Sequence, residues 1–223
     1  MATRAQRGER RTDALSKQRI VEAAIELLDA GGESALTFRA LAARLSTGAG
    51  AIYWHVANKD ELLGAATNDV VARVVTDVAV DAEPREAIRA VALGIFDAID
   101  AHLWVGTQLA RSPWLSAIPQ IFESFGSQLH ALGVPERAQF DSTSALVSYV
   151  LGAAGQNAAN GRAHAHGPDR TAFLGAVAEQ WRQLDPARYP FVHRVVAQLP
   201  EHDDRVQFLA GVDLILNGVE TGR

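Results

Sequence analysis

The chain of 223 residues has no cysteine, which excludes a disulfide framework, a thiol nucleophile and any cysteine-ligated metal. It also lacks strand-like alternation. Its β-branched residues are scattered among alanines, so the expected class is all-α. No Gly-rich phosphate loop, nucleophile elbow or HExxH is present, and the acidic residues read as helix caps and solvated faces. Neither an enzyme nor a cofactor is therefore expected. The N-terminus is polar and arginine-rich where a secretory signal would be apolar, which predicts a soluble, cytoplasmic protein with no membrane partner. One uncharged run, Ser142 to Gly161, has the length of a membrane span. Its serines together with Gln156, Asn157 and Asn160 mark it instead as a buried soluble helix.

Positive charge is scarce overall, with a net charge of −5, yet it is concentrated at one end. Residues 1–20 carry six basic side chains against Glu9 and Asp13, a local net of +4. Residues 61–223 carry twelve basic and nineteen acidic residues, a net of −7. A basic arm on an acidic body is one reading, and a solvated tail is the other. Residues 1–14 are expected to be disordered.

Helical signals then follow in order. Ser16 caps a first helix that runs to Ala30, with Ile20, Ala24, Leu27 and Leu28 on one face and Gly31-Gly32 as its stop. Thr37 caps a short helix ending near Leu45, with Leu36 and Leu41 spaced as a hydrophobic staple. A third helix is expected from Gly48 to His55 with Thr47 as its cap. Asn58 then starts a long helix reaching about Val80. Pro and Gly breaks leave further helical segments at 87–110, 117–132, 136–160, 169–184, 188–198 and 203–219. The predicted layout is an arm over 1–14, a three-helix head over 15–60 and a larger helical bundle over 61–223.

Within the head, GAGAIYWH (residues 48–55) places glycines and alanines at the start of a helix and Tyr53, Trp54 and His55 at its end. Each helical glycine costs about 1 kcal/mol relative to alanine. Two short helices joined by a tight turn form a helix-turn-helix, whose second helix lies in the major groove. A bare helix start lets backbone approach phosphates and base edges, and its dipole favours the anion. Tyr53 and His55 can reach phosphates, with Thr37, Arg39 and Lys59 bracketing the same backbone. Trp54 reads as a core aromatic on hydrophobicity alone.

Residues 15–63 closely resemble the DNA-binding domain of the tetracycline repressor (TetR) family of bacterial regulators. The resemblance rests on RIVEAAIELLDAGGESALTFRALAARL and AIYWHVANKDELL, the latter close to the branch that contains the tetracycline repressor itself. It implies DNA contacts at Thr37, Arg39, Thr47, Ala49, Gly50, Ala51, Tyr53, Trp54, His55 and Lys59. The chain departs from the family in having Ser46 where glycine is usual, and no Gln, Asn or Arg starts the recognition helix. Base readout would then fall to Thr47, Arg39 and alanine contacts with thymine methyls, and more of the specificity to DNA shape and the arginine arm.

The resemblance further implies a homodimer on a palindromic operator and a small-molecule effector. For the dimer the sequence offers Ala145, Ser148, Gly152, Gly155 and Ala159 on one helix, and Val206, Leu209, Val212 and Ile215 on the last. Candidate pocket aromatics are Trp104, Trp114, Phe122, Phe125, Tyr149, Phe173 and Trp181, with His102, Gln108, Gln156 and Asn157 as orienting polar groups. Val75 falls where the resembled tetracycline–magnesium site uses histidine, so a tetracycline–metal inducer is not expected; the aromatic set points to a small, mainly apolar effector. His164 and His166 lack a third ligand, so no metal site is expected. Two rival readings are a ligand-independent DNA-binding regulator and a helical small-molecule binder with a vestigial head.

Overall fold

The computed structural model describes residues 15–77, 81–111, 116–164 and 170–221. Every regular element among them is helical, so the all-α expectation holds. None of the helices is long and apolar enough to cross a membrane. The arginine arm, Trp114 and His166 lie outside the described residues.

The head is built from its caps. Helix α1 (Lys17–Ala35) starts where Ser16 Oγ accepts the Arg19 N–H at 3.3 Å. Its regular part stops at Gly31 and Gly32; Gly32 sits at φ +66°, which a side chain would disfavour, and one irregular turn follows. Thr37 Oγ1 accepts the Ala40 N–H at 3.1 Å to start α2 (Phe38–Arg44), and Leu36 and Leu41 are both fully buried, as a staple requires. The turn contains Ser46 at φ +51°, so the chain keeps the left-handed turn without the glycine. Helix α3 (Ala49–Tyr53) is shorter than expected. Its cap is Gly48, not Thr47, and no side chain satisfies its first N–H groups.

Asn58 Oδ1 accepts the Glu61 N–H at 2.8 Å and opens α4 (Lys59–Thr76). The Ala57 N–H and then the Lys17 ammonium hold the Glu61 carboxyl below its usual range. Helix α4 ends at Thr76; the end expected near Val80 lies outside the described residues. It packs on α1 in the head and continues into the body.

Glu83 caps α5 (Pro84–Ala101), with proline at its first turn. The expected single helix over 87–110 is instead two, because His102 leaves helical geometry before α6 (Leu103–Arg111) begins. Helices α7 (Ala117–Ala131), α8 (Glu136–His164), α9 (Arg170–Arg182), α10 (Pro190–Val195) and α11 (Asp204–Thr221) complete the body. The segment expected as one helix over 188–198 is α10 followed by a 3-10 stretch, Val196–Glu201.

The core lies where α4, α5, α7 and α8 meet, filled by Ile88, Ile95, Ile99, Ile121, Phe125 and Leu146. Burying each such side chain contributes roughly 1.5–3 kcal/mol. Helix α11 closes one side of the bundle, tied to α5 by Arg85 and Arg89 on Asp213.

Candidate nucleic-acid interface

The third helix presents its ends differently. Ile52, on its inner side, is fully buried and anchors it to the head core. Gly48 and Gly50 face open space: a Cβ built on either meets no atom within 4 Å. Nothing inside the subunit therefore demands glycine at these two positions. Trp54, at the other end, is 90% exposed and Tyr53 is 53% exposed. Trp54 is thus not a core aromatic; the head core closes with Ile52 and Val56 instead. Tryptophan is highly buried on average, so an indole left in water leaves uncovered apolar surface on this face.

Tyr53 is held in place by Phe38, the first residue of α2. The two rings stack with centroids 4.3 Å apart and planes 6° from parallel. Phe38 was not singled out by sequence, where it follows the Thr37 cap with no signal beyond being apolar.

Charge on this face is sparse. Lys17 pairs with Glu61, Arg44 with Glu26, and the Lys59 ammonium donates to the Glu33 carbonyl. Arg39 is exposed and has no ion-pair partner among the described residues. Thr37 is exposed but its hydroxyl caps α2, while Thr47, Ala49, Ala51 and His55 are half-buried at the rim of the same face. The predicted DNA contacts thus share the α2–α3 surface, with Lys59 turned toward the end of α1.

The predicted pocket residues do not assemble into one site. Phe125 is fully enclosed core, and Phe122 lies against exposed Phe140 with the rings tilted 43° to each other. Tyr149 spans α8 and α11: its hydroxyl donates to the Phe208 carbonyl at 2.9 Å, and burial pushes its pKa up. Gln156 is exposed on α8, Trp181 is exposed on α9, and Asn157 donates to Asp100. His102, Trp104 and Gln108 do come together, but against the end of α1. There Asp29 Oδ1 accepts the Trp104 indole N–H at 2.8 Å and lies 2.8 Å from His102 Nδ1. Among the described residues no cluster of three or more His, Cys, Asp or Glu is placed to hold a metal ion.

The predicted dimer residues fall into two groups. Ala145, Ser148, Gly152 and Ala159 are exposed along one face of α8, with Gly155 half-buried beside them. On α11, Val206 is exposed and Leu209 and Ile215 are half-buried, but Val212 is fully buried within its own subunit. The helical stripe read from sequence is rotated: Leu214, unremarked there, is 73% exposed and belongs to the outer face.

Comparison with known proteins fits both parts of the chain. The family profile described as bacterial regulatory proteins, tetR family, matches residues 20–66, and the tetracyclin repressor-like C-terminal domain matches residues 81–223. The solved structure of SCO7222, a TetR from Streptomyces coelicolor, is 55% identical with a TM-score of 0.85, covering 92% of this chain and 98% of that one. BioQ of Mycobacterium smegmatis, solved with its double-stranded DNA operator, is 26% identical with a TM-score of 0.61, covering 92% of this chain and 98% of its own. The tetracycline repressor protein class D of Escherichia coli is 41% identical over 59 residues, 26% of this chain. The chain spans less than two thirds of the curated relatives it matches, 27% of the class D repressor and 59% of an HTH-type regulator of Saccharopolyspora erythraea.

Proposed function

Because the chain belongs to the tetR family of bacterial regulatory proteins, we propose that it is a homodimeric repressor of transcription. It binds a palindromic operator through α2 and α3 and leaves it when a small, mainly apolar molecule binds the body. The observation that carries the DNA half is the outer surface of α3: at its start two glycines that nothing inside the subunit requires, and at its end Trp54 in water. A duplex against the tip of α3 supplies the missing reason, because a side chain there would stand between the helix and the DNA. Similarity to BioQ, solved with its double-stranded DNA operator, supports the same reading.

Pairing uses the outer faces of α8 and α11. A Cβ at Gly152, Gly155 or Gly218 meets nothing within 4 Å, so this surface has room for close approach of a second copy, with Val206 and Leu214 as apolar cover. Two heads are needed because one helix-turn-helix reads too few base pairs. The link between effector and operator is α4, continuous from Lys59 in the head to Thr76 in the body. A ligand that prefers one position of α4 about 100-fold supplies 2–3 kcal/mol of coupling.

Selection of tight binders from a random pool of DNA duplexes tests the DNA half. An inverted repeat is expected to enrich, its half-sites about one helical turn apart, and affinity should fall steeply with salt. A pool that does not converge overturns it.

A further inference from the structure

Where the end of α1 meets the start of α6, the fold leaves a cleft of about 300 Å³ whose polar wall is mainly hydrogen-bond acceptors, Asp29, Glu33 and Gln108, with the exposed Thr107 hydroxyl beside them. Asp29 and Glu33 stand one turn apart on α1. Among the described residues Asp29 receives only the Trp104 indole N–H and the His102 ring, with no Lys or Arg on it. Glu33 Oε2 accepts from Gln108 Nε2 at 3.4 Å and from Arg111, an exposed side chain, at 3.1 Å.

Gln108 makes the third acceptor. It is only 8% exposed, and Glu33 fixes its orientation, since the flipped amide would set oxygen against a carboxylate. Its Oε1 then has no donor among the described residues. No fully enclosed side-chain nitrogen or oxygen among them lacks a partner, so this oxygen has open space before it. The cleft is the space that Gln108 lines. Leu28, Leu103 and Trp104 supply the apolar wall.

Acceptors in excess of donors select a donor, and two carboxylates select a cation. An indole between leucines selects a flat apolar body and favours a positive charge near its face. The volume is at the small end of ligand sites, room for a single ring. We propose that this junction binds a small aryl cation, an amidinium or ammonium on one planar ring, with its charge between Asp29 and Glu33 and its ring against Trp104. One wall belongs to the head and the other to the body, so an occupant touches both and its affinity depends on how they sit. The inference is independent of the operator and of any effector deeper in the body.

Benzamidine is the probe, with benzamide and benzoate as its neutral and anionic counterparts. The readout is the indole N–H resonance of Trp104 in the full chain, assigned by its loss in Trp104→Phe. Benzamidine should shift that resonance saturably, and the two counterparts should bind at least about tenfold more weakly. Asp29→Asn and Glu33→Gln should each weaken benzamidine about tenfold, while Glu26→Gln, on a carboxylate paired with Arg44 outside the cleft, should not. Glu33→Gln carries the test alone if Asp29→Asn does not fold. Equal shifts from benzamide, undiminished binding in Glu33→Gln, or an unmoved Trp104 resonance up to about 10 mM benzamidine would each overturn the site.

Discussion

Tyr53 lies flat on Phe38, ring on ring at 4.3 Å, so the residue at the end of the recognition helix is positioned by the first residue of the helix before it. The pair converts the helix-turn-helix from two segments joined by a turn into one surface. Phe38→Ala should remove the support while leaving Tyr53 itself in place. We expect a stability loss of about 1–2 kcal/mol by urea denaturation, because Phe38 is only half-buried. We also expect weaker DNA binding by fluorescence anisotropy, beyond what the unfolded fraction explains. Unchanged DNA affinity would mean that Tyr53 needs no platform.

The pairing surface is tested at Leu214, which is exposed in the subunit and is not among the side chains packed on its core. Leu214→Asp should leave far-UV circular dichroism unchanged and convert the protein to a monomer in sedimentation equilibrium. Operator affinity should fall with it, since the two half-sites are then bound separately. A Leu214→Asp protein that remains a dimer would place the interface elsewhere.

Gly211 on α11 has Tyr149 directly against it: a Cβ there would lie 2.0 Å from the Tyr149 hydroxyl oxygen. Gly211→Ala must therefore displace the ring and break its bond to the Phe208 carbonyl. The expected cost is about 1–3 kcal/mol in urea denaturation. Adding Tyr149→Ala should make the Gly211→Ala change nearly neutral, a non-additive pair in a double-mutant cycle.

Asp213 joins α11 to α5. Its hydrogen bond to Arg89, together with the nearby charges of Arg89 and Arg85, holds its carboxyl below the usual value in the folded chain. Since the folded value is the lower one, the ionised group stabilises the fold at neutral pH. That contribution is lost as pH falls from about 4 through the depressed value. Asp213→Asn should cost less than about 1 kcal/mol at pH 7, the group being partly solvated. The gap between the two proteins should close in acid urea titrations below about pH 4.

Local chemistry was the legible part of the sequence. Ser16, Thr37 and Asn58 cap where their side chains allow, and Gly31-Gly32 ends the regular part of α1, because each signal acts within one turn of chain. The division of α5 from α6 at His102 was not legible, since the imidazole is held by Asp29, 73 positions away. Trp54 reads two ways in the sequence, as core or as a DNA contact, for a related reason: hydrophobicity marks a residue as wanting cover and does not say whether its own subunit provides it. The same ambiguity set Val212 on the outer face and hid Leu214. The proposed pocket failed to assemble because aromatics at helical spacing are first of all core, as Phe125 is.

The most direct test is Gly50→Ala, measured twice on the same protein. Gly50 lies within α3 with open space at its Cβ position, so alanine should stabilise the fold by about 0.5–1 kcal/mol. If the tip of α3 is bare because a duplex fits against it, the added methyl should weaken binding to the selected operator by about tenfold or more, an effect of over 1.4 kcal/mol. A rise in stability together with a fall in DNA affinity is the predicted result. A more stable protein that binds the operator as well as before would contradict the account.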